Sequence, residues 1–167
     1  MPTSLKIGLI VLVAAAAWSD LRTRRIPNWI TVPGALLGFA LQAWHSGLGG
    51  ALSSLAGTGL GLGIFILLYA AGGMGAGDVK LFSAVGAFMG PQALIVVFVI
   101  TGLLGGIAAV ALAAYRGRLQ ETLERTGQLM LSWGRLRRPA AADPDSLRLP
   151  YGAVIAGGTL LSLVIFH

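Results

Sequence analysis

The chain has 167 residues, of which 56% are hydrophobic and 11% are charged, and its net charge is +6. An average soluble domain carries about 25% charged residues, so this composition predicts a membrane protein. Because cysteine is absent, disulfides, thiolate metal sites and cysteine nucleophiles are excluded. His45 and His167 are too few and too far apart in sequence to indicate a metal cluster, and we predict neither a metal nor a cofactor.

Apolar segments follow one another along the chain and predict an all-α polytopic fold. They cover residues 5–18, 30–44, 51–73, 75–90, 92–115 and 151–166. Several are shorter than the roughly 20 residues that span hydrocarbon, yet together they predict a bundle of about six transmembrane helices in one membrane-embedded domain, residues 1–167. The first segment, with Lys6 before a run that ends in alanines, also fits a signal peptide, although further segments follow it.

The positive charge is concentrated between apolar segments, at Arg22, Arg24 and Arg25 and again within residues 116–148. Excess arginine marks cytoplasmic loops, so the pattern favours membrane orientation over a nucleic-acid partner. It places loops 22–25, 72–80 and 116–148 in the cytoplasm. In the last of these, apolar residues recur at three- and four-residue steps between arginines, which predicts an amphipathic helix bound to anionic lipid.

Residues 79–115 are too few for two full crossings separated by a turn at Gly90 and Pro91. The fourth segment must therefore recruit residues before Val79, which draws Asp78 and Lys80 to the membrane boundary or inside it. A re-entrant half-helix would also bury Asp78.

Asp20 and Asp78 differ from the other acids, which all lie in the loop 116–148 and are expected to be solvated. Each sits where an apolar segment meets the cytoplasmic side, and ionisable groups at membrane depth are functional by default. Two carboxyls in a poorly hydrated place share one proton, as an aspartic protease requires. The alternatives are salt bridges of Asp78 with Lys80 and of Asp20 with Arg24, or proton and ion translocation.

The surroundings of the two aspartates differ. After Asp20, Pro27 should end any helix, and Asn28 can cap the next one. Before Asp78, Gly75 and Gly77 permit a backbone path close to a substrate and at positive φ. Walker spacing is absent, so this glycine-rich stretch is not a phosphate loop.

The sequences SDLRTRRIPN, residues 19–28, and GAGDVKL, residues 75–81, resemble the two signature stretches of the type IV prepilin peptidases, a family of GxGD aspartic proteases. The segment LPYG, residues 149–152, is similar to a late motif of that family. The resemblance implies that Asp20 and Asp78 are the catalytic pair. It also implies residues that bind substrate or shape the site: Gly75, Gly77, Lys80, Pro27, Asn28, Pro150, Tyr151 and Gly152.

The resemblance implies that the chain removes a basic leader from prepilin-like precursors at the cytoplasmic face of a bacterial inner membrane. Larger members also carry a region with paired cysteines and N-methylate the new amino terminus. That region is missing here, so the chain resembles the short, peptidase-only members of Flp/Tad-type pili, and no methylation is expected. Lys80 or an arginine near Asp20 is expected to meet an acidic residue in the pilin stem.

Two rival functions use the same aspartates. A transporter or proton channel would need polar residues along the helix interiors, which are almost wholly apolar. A GxGD enzyme that cuts inside transmembrane segments would be a larger chain without the Ile-Pro-Asn stretch.

Overall fold

A computed structural model of the chain describes residues 1–70, 74–115 and 151–165. The elements in these ranges are all helices: α1 (Thr3–Thr23), α2 (Asn28–Ala70), α3 (Ala76–Tyr115) and α4 (Tyr151–Ile165). The expected all-α class is confirmed. The predicted loop 116–148, with its amphipathic helix, and Pro150 lie outside the described residues.

Both long helices break at one glycine. Gly47 has φ 57° and ψ −140°, and Gly90 has φ 74° and ψ 174°. Residues with side chains rarely adopt such positive φ angles, whereas glycine does so readily. Each long helix is therefore divided at its glycine into two helical arms. Pro91 then occupies the start of an arm, where its missing N–H costs nothing, and the turn expected at Gly90 and Pro91 is confirmed. We name the arms α2a (28–46), α2b (48–70), α3a (76–89) and α3b (91–115).

Three of the helices are long and apolar enough to cross a membrane, namely Thr3–Thr23, Asn28–Ala70 and Ala76–Leu112. The fourth, α4, is apolar but has only 15 residues. The chain is therefore a polytopic membrane protein. Counting both breaks, the described residues form six helical segments, but the number of membrane crossings stays a prediction.

The arm α3a lies at the centre of the bundle. Every residue from 81 to 88 is buried, as expected for a helix with apolar contacts on all faces. Phe82 stacks on Phe65 of α2b with 3.9 Å between ring centroids, and Phe98 of α3b meets both rings edge-on. Aromatic pairs of this kind contribute about 0.5–1.5 kcal/mol each beyond their burial, so they help to fix α3a between its neighbours.

The arms α2b and α3a cross at backbone contact. A Cβ atom at Gly57 would collide with the carbonyl of Gly86, and a Cβ atom at Gly86 would collide with the carbonyl of Gly57. One at Gly61 would lie 2.9 Å from the Cα atom of Ser83. Small residues at four-residue spacing permit this approach. By contrast, a Cβ atom would meet nothing within 4 Å in the described chain at Gly59, Gly63, Gly102 and Gly106.

Replacing Gly57 by alanine should destabilise the fold, because the new methyl group meets backbone that cannot rotate away. Overpacking of this kind costs about 1–3 kcal/mol. We expect a lower apparent Tm for purified Gly57→Ala in detergent. The matched control is Gly59→Ala in the same arm, which adds its methyl to open space and should leave the Tm unchanged; equal Tm values for both variants would contradict the close crossing.

Candidate active site

Asp20 lies in the last turn of α1 and is buried, with 6% of its surface exposed. Its Oδ2 atom accepts a hydrogen bond of 2.9 Å from the backbone N–H of Gly152, the second residue of α4. Its carbonyl accepts another of 2.8 Å from the N–H of Arg24. Arg24 adopts the left-handed conformation, φ 52° and ψ 32°, which ends the helix. Both the backbone and the carboxyl of Asp20 are thus held.

The turn after α1 is tied to the helix by hydroxyl groups. Ser19 Oγ donates to the carbonyl of Arg25 at 2.9 Å. Thr23 Oγ1 lies within hydrogen-bond distance of the carbonyls of Ser19 and Arg25, at 2.9 and 3.2 Å. The carbonyl of Pro27 then accepts the N–H of Ile30 at 3.1 Å, and α2 begins at Asn28. Pro27 therefore separates the two helices, as the sequence predicts.

Asp78 lies in the first turn of α3 and is also buried, with 8% of its surface exposed. Its Oδ2 atom accepts the N–H of Gly75 at 3.0 Å, and its own N–H donates to the carbonyl of Gly75 at 3.1 Å. The helix begins at Ala76, which confirms that residues before Val79 are recruited to it. Asp78 thus holds its own glycine loop.

The expectation of positive φ in this glycine stretch is wrong at Gly75 and Gly77, since the described glycines with positive φ are Gly47 and Gly90. Gly75 and Gly77 instead allow neighbouring groups to approach the backbone closely. A Cβ atom at Gly75 would lie 3.2 Å from Oδ2 of Asp78, and one at Gly77 would lie 3.1 Å from Cβ of Ile26. Both distances are too short for comfortable packing, so a side chain here would displace the neighbouring group.

Ile26 joins the three sequence stretches of the predicted site. It is buried, with 8% of its surface exposed, and packs against Gly77 of α3. Its Cδ1 atom packs against Gly152, where an added Cβ would lie 2.9 Å from this atom and 2.9 Å from Oδ2 of Asp20. Sequence reasoning missed Ile26, although an apolar residue inside a polar, arginine-rich stretch was a usable signal.

The two carboxyl groups therefore lie at the same end of the bundle. They are near enough to repel each other when both are ionised, and the Tyr151 hydroxyl is near enough to interact electrostatically with Asp78. The backbone hydrogen bond to each carboxyl uses Oδ2. A carboxylate can accept several hydrogen bonds, so each aspartate can still accept one from water or substrate.

The salt bridge considered between Asp78 and Lys80 is not the arrangement found. Residues two apart on a helix do not face each other, and the Lys80 ammonium donates instead to Oδ1 of Asn28 at 2.8 Å. Arg24 meets Asp20 through its backbone N–H. His45 lies 2.7 Å from the hydroxyl of Ser4 at the start of α1, so it sits at the end of the bundle opposite Asp20.

Comparison with known proteins identifies the family. The model of the type IV leader peptidase family matches residues 7–110, a range that contains both Asp20 and Asp78. The chain belongs to this family. No solved structure matches it significantly.

Curated proteins that are similar to this chain are named prepilin leader peptidase/N-methyltransferase. The protein of Bacillus subtilis (strain 168) is 28% identical over 170 residues, which cover 96% of this chain and 54% of that protein. The protein of Neisseria gonorrhoeae is 30% identical over 121 residues, 67% of this chain and 42% of that protein. The protein of Aeromonas salmonicida (strain A449) is 33% identical over 137 residues, which cover 74% of this chain and 47% of that protein. The chain thus spans about half the length of these relatives.

Replacing Gly152 by alanine should destabilise the site, because the methyl group would press on both the Asp20 carboxyl and Ile26. We expect a loss of about 1–3 kcal/mol, seen as a lower apparent Tm in detergent. Adding Ile26→Val removes the Cδ1 atom and should recover part of the loss. Gly157→Ala is the control in the same helix, since its methyl would meet Leu104 at an ordinary 3.7 Å. A Gly152→Ala protein as stable as this control would refute the close approach of α4 to Asp20.

Proposed function

We propose that this chain is an aspartic endopeptidase that removes the basic leader from type IV prepilin-like precursors, with Asp20 and Asp78 as its catalytic pair. The observation that carries the proposal is the burial of two carboxyl groups at the same end of an apolar bundle, each held by a backbone N–H. Membership of the leader peptidase family supports the substrate class.

The proposed mechanism needs only the two carboxyls and a water molecule. Buried together, they share one proton, because two charges at short range are costly. The ionised carboxyl takes a proton from water as it attacks the scissile carbonyl carbon, and the protonated carboxyl donates to the carbonyl oxygen. The tetrahedral intermediate then collapses as the carboxyl that took the proton from water gives it to the leaving nitrogen, and the other carboxyl recovers its proton from the hydroxyl group of the intermediate. The backbone hydrogen bonds to Oδ2 keep both side chains in fixed rotamers, which preserves the geometry of attack.

We further propose that the aspartate end faces the cytoplasm of a bacterial inner membrane. Arg22, Arg24, Arg25 and Lys80 are exposed there, and cytoplasmic segments carry an excess of such residues. The Arg22 guanidinium lies 5.0 Å from the ring centroid of Trp18, and tryptophan is typical of the membrane interface. We expect these arginines, and those of the predicted loop 116–148, to bind anionic lipid headgroups, so that a basic leader approaches the acidic pair.

Single replacement of Asp20 or Asp78 by asparagine should abolish cleavage while leaving the fold intact. Asparagine keeps the shape of the side chain but is neither a general acid nor a general base, a role that contributes roughly 10²–10⁴-fold to rate. Each purified variant is incubated with a pilin precursor and the processed band is quantified. Asp145→Asn, in the predicted loop, should cleave like the parent, and full processing by either active-site variant would end the claim.

The second activity in the relatives' names, N-methylation, is not proposed for this chain, because it lacks the paired cysteines that the larger members carry in the region associated with that activity. A precursor processed by this chain alone should bear a free, unmethylated amino terminus, measured by mass spectrometry of the mature pilin. The Bacillus subtilis relative serves as the comparison enzyme. The added mass of one methyl group on the product of this chain alone would contradict the assignment.

A further inference from the structure

Lys80 and Asn28 make a contact that the proposed mechanism does not use. The Lys80 ammonium donates to Oδ1 of Asn28 at 2.8 Å, and both side chains are exposed. One residue belongs to the first turns of α3 and the other begins α2. A hydrogen bond from a charged donor is stronger than a neutral one. The contact therefore joins, from outside the core, the two sequence stretches that carry the aspartates.

The position of this contact makes it suited to setting the distance between the carboxyls. Asn28 follows the turn 24–27, which contains Ile26, and Ile26 packs against Gly77, the neighbour of Asp78. On its other side, Ile26 contacts Gly152, whose N–H holds Asp20. The turn is thus packed between α4 and the start of α3. The hydrogen bond from Lys80 to Asn28 attaches the end of the turn to α3 at a second point.

We propose that Lys80 and Asn28 are positioning residues that clamp the turn 24–27 onto the start of α3. The clamp assembles Asp20 and Asp78 before a substrate arrives. The catalytic part of this inference rests on the proposed function, whereas the structural part concerns only the contact between the two stretches.

A different role for Lys80 is a direct contact with an acidic residue of the pilin stem. Exchanging the two side chains between positions 80 and 28 distinguishes the clamp from the substrate contact. Lys80→Asn combined with Asn28→Lys restores a hydrogen bond between α2 and α3 but moves the cation from α3 to α2. A clamp regains its function in this double variant, whereas a substrate contact that requires the cation on α3 does not.

The chain offers a matched control at the far end of the same two arms. There Gln42 Nε2 of α2a donates to the carbonyl of Phe88 of α3a at 2.9 Å. Gln42→Leu removes a side-chain hydrogen bond between α2a and α3a without touching the site. This variant therefore shows what a weaker contact between α2a and α3a does to the protein when the site itself is unchanged.

The first measurement is kcat/KM for a pilin precursor with the full chain in lipid nanodiscs. Lys80→Met and Asn28→Ala are each expected to lower it by about ten- to hundredfold, the scale expected when catalytic groups are misplaced by an ångström or less. The exchanged double variant should recover most of the loss. Gln42→Leu should cleave like the parent even if its Tm falls.

The second measurement detects the clamp without any activity. The chain contains no cysteine, so Ile26→Cys with Gly77→Cys creates one reporter pair. A Cβ atom at Gly77 would lie 3.1 Å from Cβ of Ile26, slightly closer than the roughly 3.5–4.5 Å found in disulfides, so a small outward shift of the turn brings the two cysteines to bonding geometry. The pair should cross-link readily in the parent, several-fold more slowly with Lys80→Met, and at the parent rate with either Gln42→Leu or the exchanged partners.

Parent-like cross-linking in the Lys80→Met protein would overturn the clamp. Loss of cleavage with unchanged cross-linking, together with an inactive exchanged variant, would assign Lys80 to the substrate and also overturn it. Failure of the proposed function looks different, because cleavage would then survive Asp20→Asn or be absent from the parent. In that case the cross-linking rates alone decide whether the clamp exists.

Discussion

The burial of α3a on every side is the constraint on which the rest of the structure depends. Its residues 81–88 have no exposed face, and its crossing with α2b brings backbone against backbone at Gly57 and Gly86. Interiors packed at this density resist sliding and rotation. Since Asp78 lies in the first turn of the same arm, its depth and direction follow from this packing, and the other elements must bring Asp20 to it.

Burial imposes a second requirement, because a buried carboxyl needs hydrogen-bond donors. Leaving such a group without them costs about 1–3 kcal/mol or more. Here each aspartate receives a backbone N–H, from Gly152 for Asp20 and from Gly75 for Asp78. Both donors are glycines at positions where a Cβ would crowd the carboxyl oxygen. The glycines of the site therefore serve close approach to the acids, which in turn keeps both side chains oriented.

Much of the architecture could be predicted because it depends on local properties of the sequence. The lengths of the apolar segments placed Asp20 and Asp78 at helix ends, and Gly90 before Pro91 marked a break that the structure confirms. Spacing alone could not show which faces meet. Gly102 and Gly106, for example, have the same four-residue spacing as Gly57 and Gly61, but a Cβ atom there would meet nothing within 4 Å in the described chain.

The contacts that complete the site were the least accessible to sequence reasoning. Asn28 was expected to cap a helix, and Lys80 was expected to meet Asp78 or a substrate, whereas the two bind each other. Ile26 gave no periodic signal in its polar surroundings, although it touches two helix starts. Such pairings are distant in sequence and depend on how α1, α2, α3 and α4 are arranged, which no local pattern contains. The predicted loop 116–148 and the catalytic roles of the aspartates stay predictions.

We propose that Asp20 and Asp78 stand together before substrate binds. The most direct test is an experimental structure of the chain in lipid nanodiscs, without substrate, in which the separation of the Asp20 and Asp78 carboxyl groups is measured. We predict carboxyls in direct contact or bridged by one water molecule, with Gly152 and Gly75 donating to them. Carboxyls separated by several water layers, with the turn 24–27 detached from α3, would contradict the account.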